Sequence, residues 1–144
     1  MFEASPWVAE RAWATRPFGS VEALHAAMFD AVERAPREVR MGLIRAHPDL
    51  AASVRLTEES EREQSAAGLD RLTPEQFDRI TWLTAAYRAR FGFPFIVCVR
   101  EHTPDTIIAA AERRTESDLE QEEQTAMSEI AKIARLRLAD LVAP

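Results

Sequence analysis

Three histidines, His25, His47 and His102, are the groups best suited to moving protons near neutral pH. His47 stands apart because Pro48 and Asp49 follow it. Proline biases the residue before it out of the helical region, so a helix is expected to end at His47. An imidazole at a helix end is held by the chain, can face a cavity and changes charge close to neutrality. A turn or cap role for Asp49 explains the same residues as well as a partnership with the imidazole does. His25 lies in an amphipathic stretch beside alanines, which suits a structural or surface role. His102 stands just ahead of Thr103-Pro104, where a solvent-facing or locally capping residue is expected.

Two further groups carry polar chemistry. In Ser60-Glu61-Arg62-Glu63-Gln64, helical spacing places residues 60, 63 and 64 on one face. A hydroxyl, a carboxylate and an amide there can donate and accept several hydrogen bonds to one small polar molecule. A solvated face beside Glu58, Glu59, Glu61 and Arg62 accounts for the composition too. Arg137 lies in the run Lys132, Arg135, Arg137 near the end of the last helical stretch, where the helix dipole favours basic residues without any substrate. The lone cysteine, Cys98, excludes an intramolecular disulfide and a multi-cysteine zinc site. It sits in an apolar segment, as a buried inert thiol would. No histidine pair has the four-residue spacing that converges two imidazoles, and glycine-rich phosphate loops are absent. A site without metal or nucleotide is expected.

The elements that must position these groups are helical. Ser20 precedes Val21, Leu24, Met28 and Val32 at helical spacing. Pro36 opens a stretch carrying Val39, Leu43 and Ile44. Thr57 can cap a helix to about residue 67, stopped by Gly68. Thr73-Pro74-Glu75-Gln76 combines a cap, a first-turn proline and a capping-box glutamine. The helix it opens carries Phe77, Ile80, Leu83, Ala86 and Tyr87 on one side, and Gly92 follows its end. Thr103-Pro104-Asp105 starts another helix to about residue 114. Ser117-Asp118-Leu119-Glu120 reads as a capping box ahead of Met127, Ile130, Ile133, Ala134, Leu138 and Leu141. Phe91-Gly92-Phe93-Pro94-Phe95-Ile96-Val97-Cys98-Val99 breaks the pattern. It resembles a buried strand, but no other segment could pair with it, so a buried non-helical connection is expected. The fold class is all-α: one compact domain over residues 1–144, of six to eight helices, without repeats or linkers.

Composition agrees with this. At 144 residues the chain can bury ~68% of its unfolded surface. Apolar residues make up 47% and charged residues 29%, and only 4 glycines argue against a turn-rich β fold. A net charge of −6 disfavours nucleic acid and anionic membrane as partners, and no basic stripe interleaved with aromatics is present. No apolar run approaches the ~18 residues of a membrane span. The first residues lack the basic and apolar regions of a secretory signal, and the last three form no retention or peroxisomal signal. A cytoplasmic location is expected.

Taken in order, His47-Pro48-Asp49-Leu50, Ser60-x-x-Glu63-Gln64-x-x-Ala67-Gly68-Leu69 and Tyr87-x-x-x-Phe91-Gly92-Phe93-Pro94-Phe95-Ile96 resemble the 2-oxo-4-hydroxy-4-carboxy-5-ureidoimidazoline (OHCU) decarboxylases. The likeness extends to Trp7, Trp13, Arg16-Pro17-Phe18 and Ile130-x-x-Ile133-Ala134-x-Leu136-Arg137-Leu138, and so covers almost the whole chain. It implies an all-helical, cofactor-free enzyme that performs the last step from urate to (S)-allantoin. Carried over residue by residue, the family's proton-donating histidine falls on His47 and a substrate-contacting proline on Pro48. The family's binding stretch falls on Ser60, Glu61, Arg62, Glu63 and Gln64, with Glu63 as the assisting carboxylate. A second binding segment falls on Phe95, Ile96, Val97, Cys98 and Val99. A late arginine falls on Arg137, with Arg135 close by. The loop from Leu50 to Leu56 is a few residues shorter than in the family's animal members, which touches the loop's shape rather than the chemistry.

The resemblance gives the odd apolar segment a purpose. A buried non-helical stretch needs partners for its backbone N–H and C=O groups, and a ureidoimidazoline is rich in amide-like donors and acceptors. Main-chain groups of Phe95 to Val99 are therefore expected to bind substrate. The implied partner is that small molecule, with apolar surfaces that would suit a homodimer. The rival readings are a non-enzymatic helical interaction module and an enzyme acting on another ureido compound.

Overall fold

The computed structural model describes residues 6–8, 21–47, 50 and 68–142. Among these residues every regular element is helical and none is a strand. Five α-helices and two 3-10 turns are present there, a little below the six to eight helices expected, with Trp7 and Val8 helical as well. The helix expected from Thr57 lies outside the described residues. The chain divides into two compact units, Met1–His47 with Ile130–Pro144, and Pro48–Glu129.

In the first unit, α1 (Val21–Arg34) buries Met28 and Val32, the stripe its spacing predicts. His25 Nε2 lies 2.9 Å from the Ala131 carbonyl oxygen, and its ring stacks on Phe29, so this histidine has a structural role. Pro36, with φ −56° and ψ 152°, leads into α2 (Arg37–Ala46), which buries Met41, Leu43 and Ile44. α2 ends one residue before His47, whose φ of −68° and ψ of 136° are extended, as a residue before proline requires.

In the second unit, α3 (Pro74–Phe91) starts with the expected capping box. The Thr73 hydroxyl oxygen accepts from the Gln76 N–H at 3.1 Å, and the Gln76 side chain accepts from the Thr73 N–H at 3.1 Å. Ile80, Leu83, Tyr87 and Phe91 are buried, but Phe77 is 56% exposed. Phe77 was expected on the inner side; it lies in the first turn, ahead of the stretch of α3 that is covered. Gly92 ends α3 at φ 79°, a left-handed conformation open to glycine without a Cβ penalty. Seven consecutive residues, Phe93 to Val99, are then buried; the non-helical connection expected over Phe91 to Val99 is shorter, because Phe91 still belongs to α3 and Val99 already opens a 3-10 turn. A 3-10 turn, Val99–Glu101, leads into α4 (Pro104–Thr115), which packs against α3.

A capping box opens α4 as well, with Thr106 rather than an acidic or amide residue answering Thr103. α5 (Leu119–Val142) departs from expectation at its start. Its cap is Asp118, whose Oδ1 accepts from the Gln121 N–H at 2.7 Å, not Ser117. A carboxylate accepts from a helical N–H more strongly than a hydroxyl and also favours the positive end of the helix dipole.

Candidate functional site

The Phe93–Val99 segment sits among aromatic rings. Tyr87 lies edge-on to Phe93 and Phe95 at 5.8 and 5.3 Å between centroids, and tilted against Phe91 at 4.7 Å. Side chains alone cannot fix such a segment, because its backbone polar groups are withdrawn from water and need partners. Four of those partners belong to the second unit itself. Arg114 Nη1 donates to the Ile96 carbonyl oxygen at 2.6 Å, and the Cys98 N–H donates to Glu129 Oε1 at 3.2 Å. The Cys98 and Val99 carbonyls accept from the Glu101 and His102 N–H groups in the 3-10 turn. The main-chain groups of Phe95 and Val97 make no hydrogen bond to another described residue.

Arg114 is itself held from three sides. Its Nε donates to Glu122 Oε1 at 2.8 Å, and its guanidinium lies 4.6 Å from the Phe95 ring centroid. The Tyr87 hydroxyl donates to the same Glu122 oxygen at 2.6 Å, with Arg114 Nη2 3.5 Å from the phenol oxygen. The side chains of Arg114 and Glu122 are 6% and 1% exposed, so this is a desolvated ion pair rather than a surface one. Burial, and then the Glu122 acceptor, push the Tyr87 phenol well above its usual range, while Arg114 pulls the other way.

This network was not singled out from sequence, although its signal lies in the helical register. Ile107, Ala110, Ala111 and Arg114 follow one face of α4, and Glu122, Ala126, Glu129 and Ile133 follow one face of α5. A charged residue at an apolar position of a stripe marks a buried ion pair or a backbone clamp. Arg114, Glu122 and Glu129 are all three such residues.

The expected site residues fall in three groups. Phe95, Ile96, Val97, Cys98 and Val99 form one buried stretch, but the main-chain edge at Ile96 and Cys98 is already engaged by the protein, which leaves Phe95 and Val97. His47 is half-buried at the end of α2. Arg137 is 4% exposed, whereas Arg135 points outward and pairs with Glu22 at 3.5 Å. Pro48, Ser60, Glu61, Arg62, Glu63 and Gln64 lie outside the described residues. His102 acts locally, with Nδ1 3.0 Å from the Thr106 hydroxyl. Among the described residues no cluster of His, Cys, Asp and Glu side chains is arranged to hold a metal ion.

Comparison with known proteins fits this arrangement. The family model for OHCU decarboxylase matches residues 1–139. The 2-oxo-4-hydroxy-4-carboxy-5-ureidoimidazoline decarboxylase of Haloferax volcanii is 49% identical over 140 residues, covering 97% of this chain and 83% of that one. A solved structure of (S)-allantoin synthase aligns with a TM-score of 0.75 at 32% identity, over 96% of this chain and 46% of that one. A structure of OHCU decarboxylase in the presence of (S)-allantoin has a TM-score of 0.80 at 22% identity, over 97% of this chain and 93% of that one, a likeness of fold. The chain is thus an all-helical carboxy-lyase. It belongs to the OHCU decarboxylase family.

Proposed function

We propose that this protein converts 2-oxo-4-hydroxy-4-carboxy-5-ureidoimidazoline to (S)-allantoin and carbon dioxide in urate degradation. The observation that carries the reading is the family match over residues 1–139, which spans every motif named above. The substrate supplies its own electron sink. As the bond to the carboxylate breaks, its electron pair forms a C=C bond to the neighbouring ring carbon. The C=N pair moves onto the ring nitrogen, which takes a proton. The hydroxyl then becomes a carbonyl as a proton reaches one face of the adjacent carbon and sets its handedness.

The protein's part is alignment, charge stabilisation and proton delivery. Holding a reacting group in place is an entropic gain, and each well-placed donor can supply ~2.7–4 kcal/mol at developing charge. His47 moves the proton, a role typically worth ~10²–10⁴-fold. Glu63 orients the substrate hydroxyl or the imidazole. Ser60, Glu61, Arg62 and Gln64 form the rest of that binding stretch, Pro48 contacts the ring, and the main chain of Phe95 to Val99 reads its amides. Arg137, buried where Arg135 is exposed, offers a planar fork for a carboxylate or carbonyl.

The enzyme works in the cytoplasm on a small molecule, without nucleic acid or membrane. No helix among the described residues is long and apolar enough to cross a bilayer. Exposed Phe77, Trp82 and Leu119 suit a homodimer. Circular dichroism of freshly oxidised urate tests the activity. Unassisted decay of the intermediate produces both hands of allantoin, so the enzyme should generate a dichroic signal where buffer gives none. A signal equal to buffer would refute the reading and favour an interaction module.

A further inference from the structure

The hydrogen bonds to the Phe93–Val99 segment are arranged by position. Ile96 and Cys98, two residues apart, both take partners from buried side chains, Arg114 on α4 and Glu129 on α5. In extended backbone the polar groups of alternate residues point to opposite edges. Cys98 is extended, with φ −75° and ψ 94°, and the main-chain groups of the intervening Val97, and of Phe95 before it, are answered by no described residue. All of these residues are buried, so the arrangement cannot be credited to solvent.

We propose that Arg114 and Glu129 are positioning residues, which grip the Phe95–Val99 main chain by one edge so that Phe95 and Val97 present their N–H and C=O groups to the ureido and ring amides of the substrate along the other. The proposal rests on the decarboxylase reading. Its physical content is preorganisation: a segment already clamped does not have to be ordered when ligand binds, so affinity is gained without any contact between clamp and ligand. The Glu122 carboxylate and Tyr87 hydroxyl extend the clamp by fixing the Arg114 fork, which must hold two acceptors in one plane. Neither Arg114 nor Glu129 touches substrate in this account, so loss of either should raise KM more than it lowers kcat.

Glu129→Leu and Glu129→Gln test it, with KM and kcat measured by formation of (S)-allantoin and with backbone amide spectra recorded during titration with allantoin. The Gln side-chain oxygen still accepts from the Cys98 N–H; Leu cannot. Loss of a buried hydrogen bond predicts a rise in KM of about tenfold for Glu129→Leu, with kcat within about threefold. Glu129→Gln should stay within about twofold of the wild type in KM. The amide resonances of Phe95 and Val97 should move on titration of the wild type, and move at about tenfold higher allantoin in Glu129→Leu. A Glu129→Leu protein that melts earlier but keeps its KM and its titration has lost only a structural contact, and overturns the proposal. If that variant does not fold, Arg114→Lys decides, because a point charge cannot serve Glu122 and the Ile96 carbonyl together; an unchanged KM there overturns the proposal equally. A wild type that makes no (S)-allantoin refutes the decarboxylase reading itself, a result distinct from active enzyme with indifferent variants.

Discussion

Replacing Arg114 with methionine isolates the worth of the buried ion pair. Methionine fills much of the volume of the arginine stem, so the change is chiefly electrostatic. It strands the Glu122 carboxylate, 1% exposed, with the Tyr87 hydroxyl as its remaining partner from the network, and it leaves the Ile96 carbonyl without its donor at 2.6 Å. Breaking a buried pair from one side costs ~3–5 kcal/mol, and an orphaned carbonyl ~1–3 kcal/mol; the two share one network and do not simply add. At ~2–4 °C per kcal/mol for a chain of this size, a loss of ~3–5 kcal/mol lowers Tm by roughly 6–20 °C. Arg79 and Glu112 join α3 to α4 at 3.0 Å, but their side chains are 46% and 48% exposed, so Arg79→Met should cost only ~0–1 kcal/mol. Urea unfolding followed by circular dichroism measures both. Adding Glu122→Gln to Arg114→Met should recover ~1–3 kcal/mol, since the uncompensated charge is gone and the amide oxygen still accepts from Tyr87. A cost for Arg114→Met as small as for Arg79→Met, or no recovery in the double variant, would show that the buried pair does not stabilise the fold in this way.

Three further outcomes follow from local geometry. Tyr87 is the only tyrosine, so tyrosinate absorbance reports it alone. With its folded pKa raised, the native state holds the proton longer than the unfolded chain; its contribution to stability is complete below ~10 and is lost as pH rises beyond that. Ionisation should therefore accompany alkaline unfolding, and a midpoint near ~10 with helicity intact would contradict this. Gly92→Ala meets no atom within 4 Å, so its cost should be the left-handed penalty alone, ~1–2 kcal/mol by denaturant titration. Thr73→Ala removes an N-cap bond and should cost ~1 kcal/mol, whereas Thr73→Ser should cost almost nothing.

The pattern of what could be read from sequence has a physical basis. Thr73, Thr103, Gly92 and Pro48 act through their own backbone neighbourhood, so their effects were legible and the structure places the corresponding helix ends beside them. The Phe91–Val99 run was legible as an apolar segment with nothing to pair with, and Phe93 to Cys98 are buried and non-helical, whereas Phe91 closes α3 and Val99 opens a 3-10 turn. Ser117 and Asp118 can each cap a helix, and only the geometry of the turn selects Asp118. The clamp on Ile96 and Cys98 was not legible, because Arg114 and Glu129 are 18 and 31 residues away and charged residues on helices usually face water. Their membership of apolar registers is the one sequence trace they leave. Of the candidate site, His47, Arg137 and Phe95 to Val99 came from motif and resemblance, and the inner or outer placement of Arg137 and Arg135 came from structure.

In the proposed mechanism one imidazole, at the end of α2, hands over the proton as carbon dioxide leaves. His47→Asn tests it most directly, since asparagine keeps a hydrogen-bonding group yet cannot exchange a proton near neutral pH. With helicity and Tm near the wild-type values, the initial rate of (S)-allantoin formation from freshly oxidised urate should fall ~10²–10⁴-fold. A folded His47→Asn protein that turns over substrate at close to the wild-type rate would contradict the claim.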